Sequence, residues 1–311
     1  MTLRIAGETL FSMDLTGDAE EVGRAVTDVL DAFSPMSTTI LPAPHLWPTP
    51  MATRFRRGLA SLDETVGRII ADRRASGEVV ADLLGMFMAS EDAETGERMS
   101  DKQLRDEVMT MILAGHETTA NALAWTLHLL GQHPEALHRV QREIDDALGD
   151  ATPGPAVFGQ LPYTYQVLQE SMRLYPPVWA VARMAAEDDE LGGYRVPKGT
   201  YVYMPHNQLH RHPALWDQPD AFDPDRFSPE RIEARKALGV HKFAYLPFSG
   251  GQRKCIGDHF AKLESLVCLA VLLRGRTLRP VAGHPVVPEA SITLRPKHGL
   301  MMHVPAAAAR P

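Results

Sequence analysis

Apolar and polar positions divide the chain into a helical stretch and an irregular one. No proline occurs between Pro50 and Pro134, and apolar residues recur there at three- and four-residue spacing. Residues 51–148 are therefore expected to be mainly helical. Residues 153–229 carry eleven prolines, and residues 176–256 are read as loops with short strands. Three helices stand out. The first opens at Ser100, where Gln103 has capping-box spacing, and its apolar face runs through Leu104, Val108, Met111, Ile112 and Gly115 towards Leu130. The second starts near Pro162 and must stop before Pro176-Pro177. The third begins just after Gly257. It holds Phe260, Leu263, Leu266, Val267, Leu269, Ala270 and Leu273, apolar nearly all round, which predicts a buried helix. Between the second and third, Tyr194 to Tyr203 has the alternation and turn chemistry of a small hairpin. The expected fold class is mainly α with a small β part.

Composition narrows the function classes. Thirty-two basic against thirty-nine acidic side chains in 311 residues give a net charge of −7, which argues against a nucleic-acid partner. The best apolar run, Leu266 to Leu273, is far too short for a membrane span. The opening Met1 to Glu8 lacks the basic-then-apolar pattern of a signal peptide. Two cysteines, Cys255 and Cys268, allow at most one disulfide. A cytoplasmic protein is expected, forming one domain over residues 1–311 with a disordered tail at 305–311.

The strongest chemical signal is Phe248-Ser-Gly-Gly-Gln-Arg-Lys-Cys-Ile-Gly257. Glycines on both sides of one cysteine let the backbone fold tightly around the sulfur. Cys255 stands just before a helix, whose N-terminal dipole favours a thiolate, and Arg253 is expected to add positive charge. A thiolate, a nearby arginine and an apolar plane suit a haem with an axial cysteine and anionic propionates.

The Phe-x-x-Gly-x-Arg-x-Cys-x-Gly pattern resembles the haem-binding loop of the cytochrome P450 monooxygenases. Further motifs resembling that family stand in its order. Glu170-Ser-Met-Arg173 is similar to its Glu-x-x-Arg helix, and Phe222-Asp-Pro-Asp-Arg-Phe227 to its arginine-containing segment. Ala114-Gly-His-Glu-Thr-Thr119 is similar to the oxygen-activating groove of its long central helix. The resemblance runs from residue 1 to residue 304. Residues 1–11 resemble a segment well inside a full-length member, so the implied fold is a P450 fold lacking its N-terminal part, including part of the substrate pocket.

The resemblance implies roles residue by residue. Cys255 would be the axial ligand of the iron of haem b, the metal-binding residue of the chain. Arg253 and Arg183 would hold propionates, and Phe248, Gly257, Ala114 and Gly115 would line the cofactor. Glu117 and Thr118 would relay the protons that splitting dioxygen requires. Glu170, Arg173 and Arg226 would form a buried network serving folding and haem retention. Leu113, Ala114, Val178 and Val181 are pocket positions. The implied activity is insertion of one oxygen atom into a small apolar substrate, a hydroxylation or epoxidation. Electrons would come indirectly from NAD(P)H through a ferredoxin with its reductase, or through a flavin reductase. His241, Lys242 and Lys254 are candidates for the electron-receiving side. A catalytically incompetent haem-binding fragment is the alternative, and use of peroxide is a third reading that the Glu117-Thr118 pair disfavours.

Competing motifs fall away. His116-Glu117 begins a zinc-protease signature, but Ala120 stands where its second histidine belongs. Gly154 to Gly159 is followed by Gln160-Leu161 and makes no phosphate loop. His206, His210 and His212 have ligand-like spacing but read better as surface histidines. Cys268 is expected to be inert core.

Overall fold

The computed structural model describes residues 1–12, 19–37, 44–78, 80–276 and 278–305, so the expected tail beyond residue 305 lies outside the described residues. The chain divides into two compact units, Met1–Ala120 and Asn121–Pro311.

The first unit is helical. It holds α1 (Thr2–Phe11), α2 (Ala19–Ser37), α3 (Pro50–Ser76), α4 (Leu83–Ala89) and α5 (Asp101–Gln132) as far as residue 120. The proline-free stretch forms helices as its periodicity predicts, and each start has a local cause. Thr49 caps α3 by accepting the Ala52 N–H, with Pro50 in the first turn, and Gly77 at φ 63° ends it. The capping box of α5 is reciprocal: Gln103 Oε1 accepts the Ser100 N–H at 2.9 Å, and Ser100 Oγ accepts the Gln103 N–H. The core of this unit gathers Phe11, Val22, Leu62, Val66, Leu84, Leu104, Val108 and Ile112. One buried ion pair ties three elements together. Arg73 of α3 donates to both carboxylate oxygens of Asp82, the N-cap of α4, and to the Phe11 carbonyl that ends α1.

The second unit begins with the remainder of α5 and continues through α6 (Pro134–Leu148), α7 (Val157–Gln160) and α8 (Pro162–Leu174). A β-rich stretch follows: β1 (Val181–Met184), β2 (Asp189–Leu191), β3 (Tyr194–Val196) and β4 (Tyr201–Met204). Then come α9 (His206–Leu209), α10 (Pro229–Ala237), α11 (Asp258–Leu273) and the short strands β5 (Arg279–Pro280), β6 (Pro288–Ala290), β7 (Leu294–Pro296) and β8 (Met302–His303). Its core is centred on Trp125, fully buried, stacked on Tyr175 at 4.2 Å and donating from Nε1 to the Leu294 carbonyl.

The hairpin expected over Tyr194 to Tyr203 does not form. Its two halves pair elsewhere: β3 with β2 and β4 with β1, both antiparallel. The tight turn lies at Gly192-Gly193, where φ is 57° and 85°. Positive φ at both central residues matches the twist of two paired strands, and only glycine adopts it cheaply. Pro197 to Gly199 instead carries the chain from one sheet to the other, with the Gly199 N–H on the Ala185 carbonyl. Helix α11 is buried along Leu266, Cys268, Leu269, Ala270 and Leu273, although Val271 remains half exposed. No helix among the described residues is long and apolar enough to cross a membrane.

Candidate functional site

The cysteine loop is built by backbone. It opens after Leu246 and closes where the Cys255 N–H meets the Phe248 carbonyl at 3.0 Å. Inside it, Gly251 to Arg253 form one 3-10 turn, with Gly251 at φ 73° and Ser249, a non-glycine, at φ 58°. A serine held in the left-handed region stores strain on the order of 1 kcal/mol, which the closed loop must hold. Helix α11 starts directly behind the cysteine, its first turn set by the Ala261 N–H on the Gly257 carbonyl.

Cys255 is a free, exposed cysteine. Burial of its sulfur within the loop pushes the thiol pKa up, and Asp258 adds to this, while the Gly257 N–H, Lys254 and Lys262 pull the other way. The Gly257 N–H at the helix start favours the thiolate in the expected direction, while desolvation is the largest single influence on the thiol. The basic neighbours are Lys254 and Lys262, and Arg253 is not among them. Lys254 and Lys262 both reach Asp258, at 2.7 Å and 3.4 Å, and Lys262 lies 4.9 Å over the Phe248 ring. Arg253 is exposed and makes no ion pair among the described residues. Sequence reading missed Asp258 and Lys262, although Asp258 stands four residues from both Lys254 and Lys262, a spacing available as a signal.

Arg183 lies on β1, exposed, with its guanidinium donating only to the Ala182 carbonyl next to it among the described residues. Ile256 is 76 % exposed beside the sulfur, and Phe243 is also exposed. The donor set fits haem b. A thiol whose pKa is raised is mostly protonated at neutral pH, and a coordinated metal would favour its thiolate outright. The exposed Ile256 adjoins it, and two arginines without ion pairs among the described residues, Arg183 and Arg253, offer partners for carboxylates.

Behind the loop, the structure brings Glu170, Arg173 and Arg226 together. Arg173 is bidentate on Glu170 at 2.7 and 2.8 Å, and Arg226 Nε donates to Glu170 Oε1 at 3.3 Å; Glu170 and Arg173 are fully buried. Arg173 also donates to the carbonyls of His210, Pro219 and Ala221, so a single guanidinium ties α8 to the segment leading into the 3-10 turn at Pro224–Phe227. The expectation of surface histidines fails for two of three. His206 and His210 are buried, at 2 % and 0 % exposure, and only His212 is exposed. The proline-rich segment carrying them is packed under Tyr245 and against α8, which proline density alone does not reveal. No group of three potential metal-ligating side chains occurs among the described residues. Cys268 is buried in α11, its thiol pushed up to about 11 by burial and by Glu264.

In the first unit, Ala114, Gly115, Glu117 and Thr118 lie on one unbroken stretch of α5. Thr118 Oγ donates back to the Ala114 carbonyl at 2.8 Å. A side chain on Gly115 would meet Ala6 and Leu10 only at 3.8 Å, an ordinary contact. His116 is half-buried, and burial lowers its pKa.

The second unit thus holds a cysteine in a glycine-built loop ahead of an apolar helix, and a buried Glu–Arg–Arg cluster. The cytochrome P450 family matches residues 1–302, and the chain belongs to that family. It is 39% identical over 298 residues to cyclooctatin synthase of Streptomyces melanosporofaciens, covering 94% of this chain and 63% of that protein. It is 38% identical to cyclooctat-9-en-7-ol 5-monooxygenase of the same organism, covering 91% of this chain and 61% of that protein. The crystal structure of the cytochrome P450DA heme domain aligns over 98% of this chain and 66% of its own, with a TM-score of 0.85 and 32% identity. The mainly α fold with small sheets is therefore a P450 fold. The chain spans somewhat less than two thirds of the curated relatives it matches. Family members use haem b and electrons that originate in NAD(P)H.

Proposed function

We propose that this chain serves a haem-thiolate monooxygenase that inserts one atom of dioxygen into a small apolar substrate. The observation that carries the reading is the loop at Phe248–Gly257, which presents Cys255 as an exposed free cysteine with the exposed Ile256 next to it. Haem b bound there would supply the one-electron chemistry that activates dioxygen. Cys255 would be its axial ligand, and the Gly257 N–H, Lys254 and Lys262 would steady the sulfur's charge. Arg183 and Arg253 would bind the propionates. By the family resemblance Ala114 and Gly115 would line the cofactor, and Glu117 with Thr118 would hold and pass protons. Glu170, Arg173 and Arg226 take no part in the chemistry; they hold the segments that carry the loop.

Electrons would reach the site from a separate protein, a ferredoxin with its reductase or a flavin reductase. His241, Lys242 and Lys254 would be the candidates for the side that receives them. The reading treats residues 1–311 as parts of one P450-like domain in the cytoplasm.

The test is the carbon-monoxide difference spectrum of the dithionite-reduced chain, expressed with haem precursor. The family's long-wavelength Soret band is expected, reporting Cys255 bound as thiolate. A shorter-wavelength band, or no haem, overturns the proposal.

A further inference from the structure

The cysteine loop is anchored to the rest of its unit at the point where it begins, and the anchor is a histidine. His210 is fully buried. Its Nε2 accepts the backbone N–H of Leu246 at 2.9 Å, while its own carbonyl accepts Arg173 Nη1 at 2.9 Å. From Leu246 the chain of contacts continues into the loop. The Leu246 carbonyl accepts the Ser249 N–H, and the Phe248 carbonyl accepts the Cys255 N–H. The preceding residue, Tyr245, is tied to the same helix as Arg173: its hydroxyl donates to the Gln169 carbonyl at 2.9 Å, and its ring stands 5.2 Å from the His210 ring. Among the described residues neither Glu170 nor Arg173 itself bonds to the loop, so His210 links the residue that bonds Arg173 to the first residue of the segment that presents the cysteine, beside the Tyr245 bond to α8.

We propose that His210 is a positioning residue for Cys255: its Nε2, accepting the Leu246 N–H, holds the start of the cysteine loop in register with the Glu170–Arg173 pair. Only a neutral ring with its single proton on Nδ1 can accept at Nε2. The surroundings keep it neutral, because burial, His206 and Arg173 lower its pKa to about 3. Removing the acceptor leaves a partly buried N–H without a partner at the point where the loop departs. The inference rests on the haem-thiolate reading for its consequence, but the anchor itself is measurable without haem.

The test compares His210→Gln, whose carboxamide oxygen reaches about where Nε2 stands, with His210→Asn, which is polar and neutral but too short. In the haem-free chain, amide exchange at Leu246 is expected to speed up about ten-fold in the Asn variant relative to amides of α8 and α11. In the Gln variant it should stay within about two-fold of wild type. In the haem-loaded chain, the share of the reduced carbon-monoxide complex with the long-wavelength Soret band should fall in the Asn variant and recover in the Gln variant. Wild-type exchange at Leu246 in the Asn variant, or a Gln variant no better protected than Asn, overturns the proposal. If the wild-type chain shows no long-wavelength band, the haem-thiolate reading fails and the exchange arm alone decides the anchor. If the Asn variant does not fold, the Gln variant decides: retained protection supports the anchor and lost protection overturns it.

Discussion

Arg173 donates from Nε and Nη2 to the two carboxylate oxygens of Glu170, at 2.7 and 2.8 Å, and neither side chain has any solvent exposure. The pair sits three residues apart on α8, a spacing that on a surface is worth little. Burial changes its meaning, because a partner left alone keeps a desolvated charge. Three carbonyls from outside the helix complete the guanidinium's bonding. Arg173→Lys keeps the charge but loses the fork that makes those bonds. It should destabilise the second unit by about 3 kcal/mol, and Glu170→Gln by a similar amount. Urea unfolding followed by tryptophan fluorescence checks this; an unchanged midpoint for either variant would remove the cluster from the list of what holds the fold.

The acid limb of stability should belong largely to the first unit. Asp82 is held at a pKa of about 2, chiefly by its hydrogen bonds from Arg73, with the Gly85 N–H helping. A carboxylate whose folded pKa is depressed contributes stability that is complete above its unfolded value near 4 and lost as pH falls towards 2. The contribution is at most about 2 kcal/mol, less whatever solvent screening removes. Asp82→Asn should lower the melting temperature at pH 7 and flatten its fall between pH 4 and pH 2. A variant with the wild-type acid slope would contradict the assignment.

Two glycines on α5 should respond in opposite ways to alanine. At Gly115 a Cβ meets nothing closer than 3.8 Å, so Gly115→Ala should gain up to about 1 kcal/mol of helix propensity. At Gly131 it would stand 2.8 Å from Met302 Cε and 3.0 Å from Pro280 Cδ. The methionine end can swing away, but the proline ring is fixed in β5, so Gly131→Ala should cost about 1 kcal/mol despite its better propensity. Thermal melts of the two variants decide.

The motifs were legible because short-range chemistry dictates them. The capping box at Ser100, the stop before Pro176 and the helix start after Gly257 each depend on a few adjacent residues, and each element lies where that chemistry puts it. The strand pairing was not legible. Tyr194 to Tyr203 carries hairpin-like alternation, yet Gly192-Gly193 supplies the better turn and sends both halves to other partners. Burial of His206 and His210 was hidden for a related reason. A histidine in proline-rich chain looks solvated until the segments that pack over it, Tyr245 and Arg173 above all, are known. The thiol's electrostatics were half visible: the cations beside Cys255 stand in the sequence, but the desolvation that outweighs them does not.

Thr118 offers the sharpest separation of structure from chemistry. Its hydroxyl donates to the Ala114 carbonyl one turn back, the local bond that threonine commonly makes inside a helix. That bond contributes little to stability, and alanine is the better helix former, so Thr118→Ala should fold as well as the native chain or slightly better. Chemistry should respond differently. If Thr118 hands protons to the reacting oxygen, the alanine variant still consumes electrons while product per electron falls by roughly ten- to a hundred-fold. Thr118→Ser keeps the hydroxyl and should restore most of the coupling. Comparing NAD(P)H consumed with product formed, in a system reconstituted with a redox partner, reads the difference directly. Unchanged coupling in Thr118→Ala would leave the hydroxyl with its helical bond alone, and the proton-relay role would pass to Glu117 or to solvent.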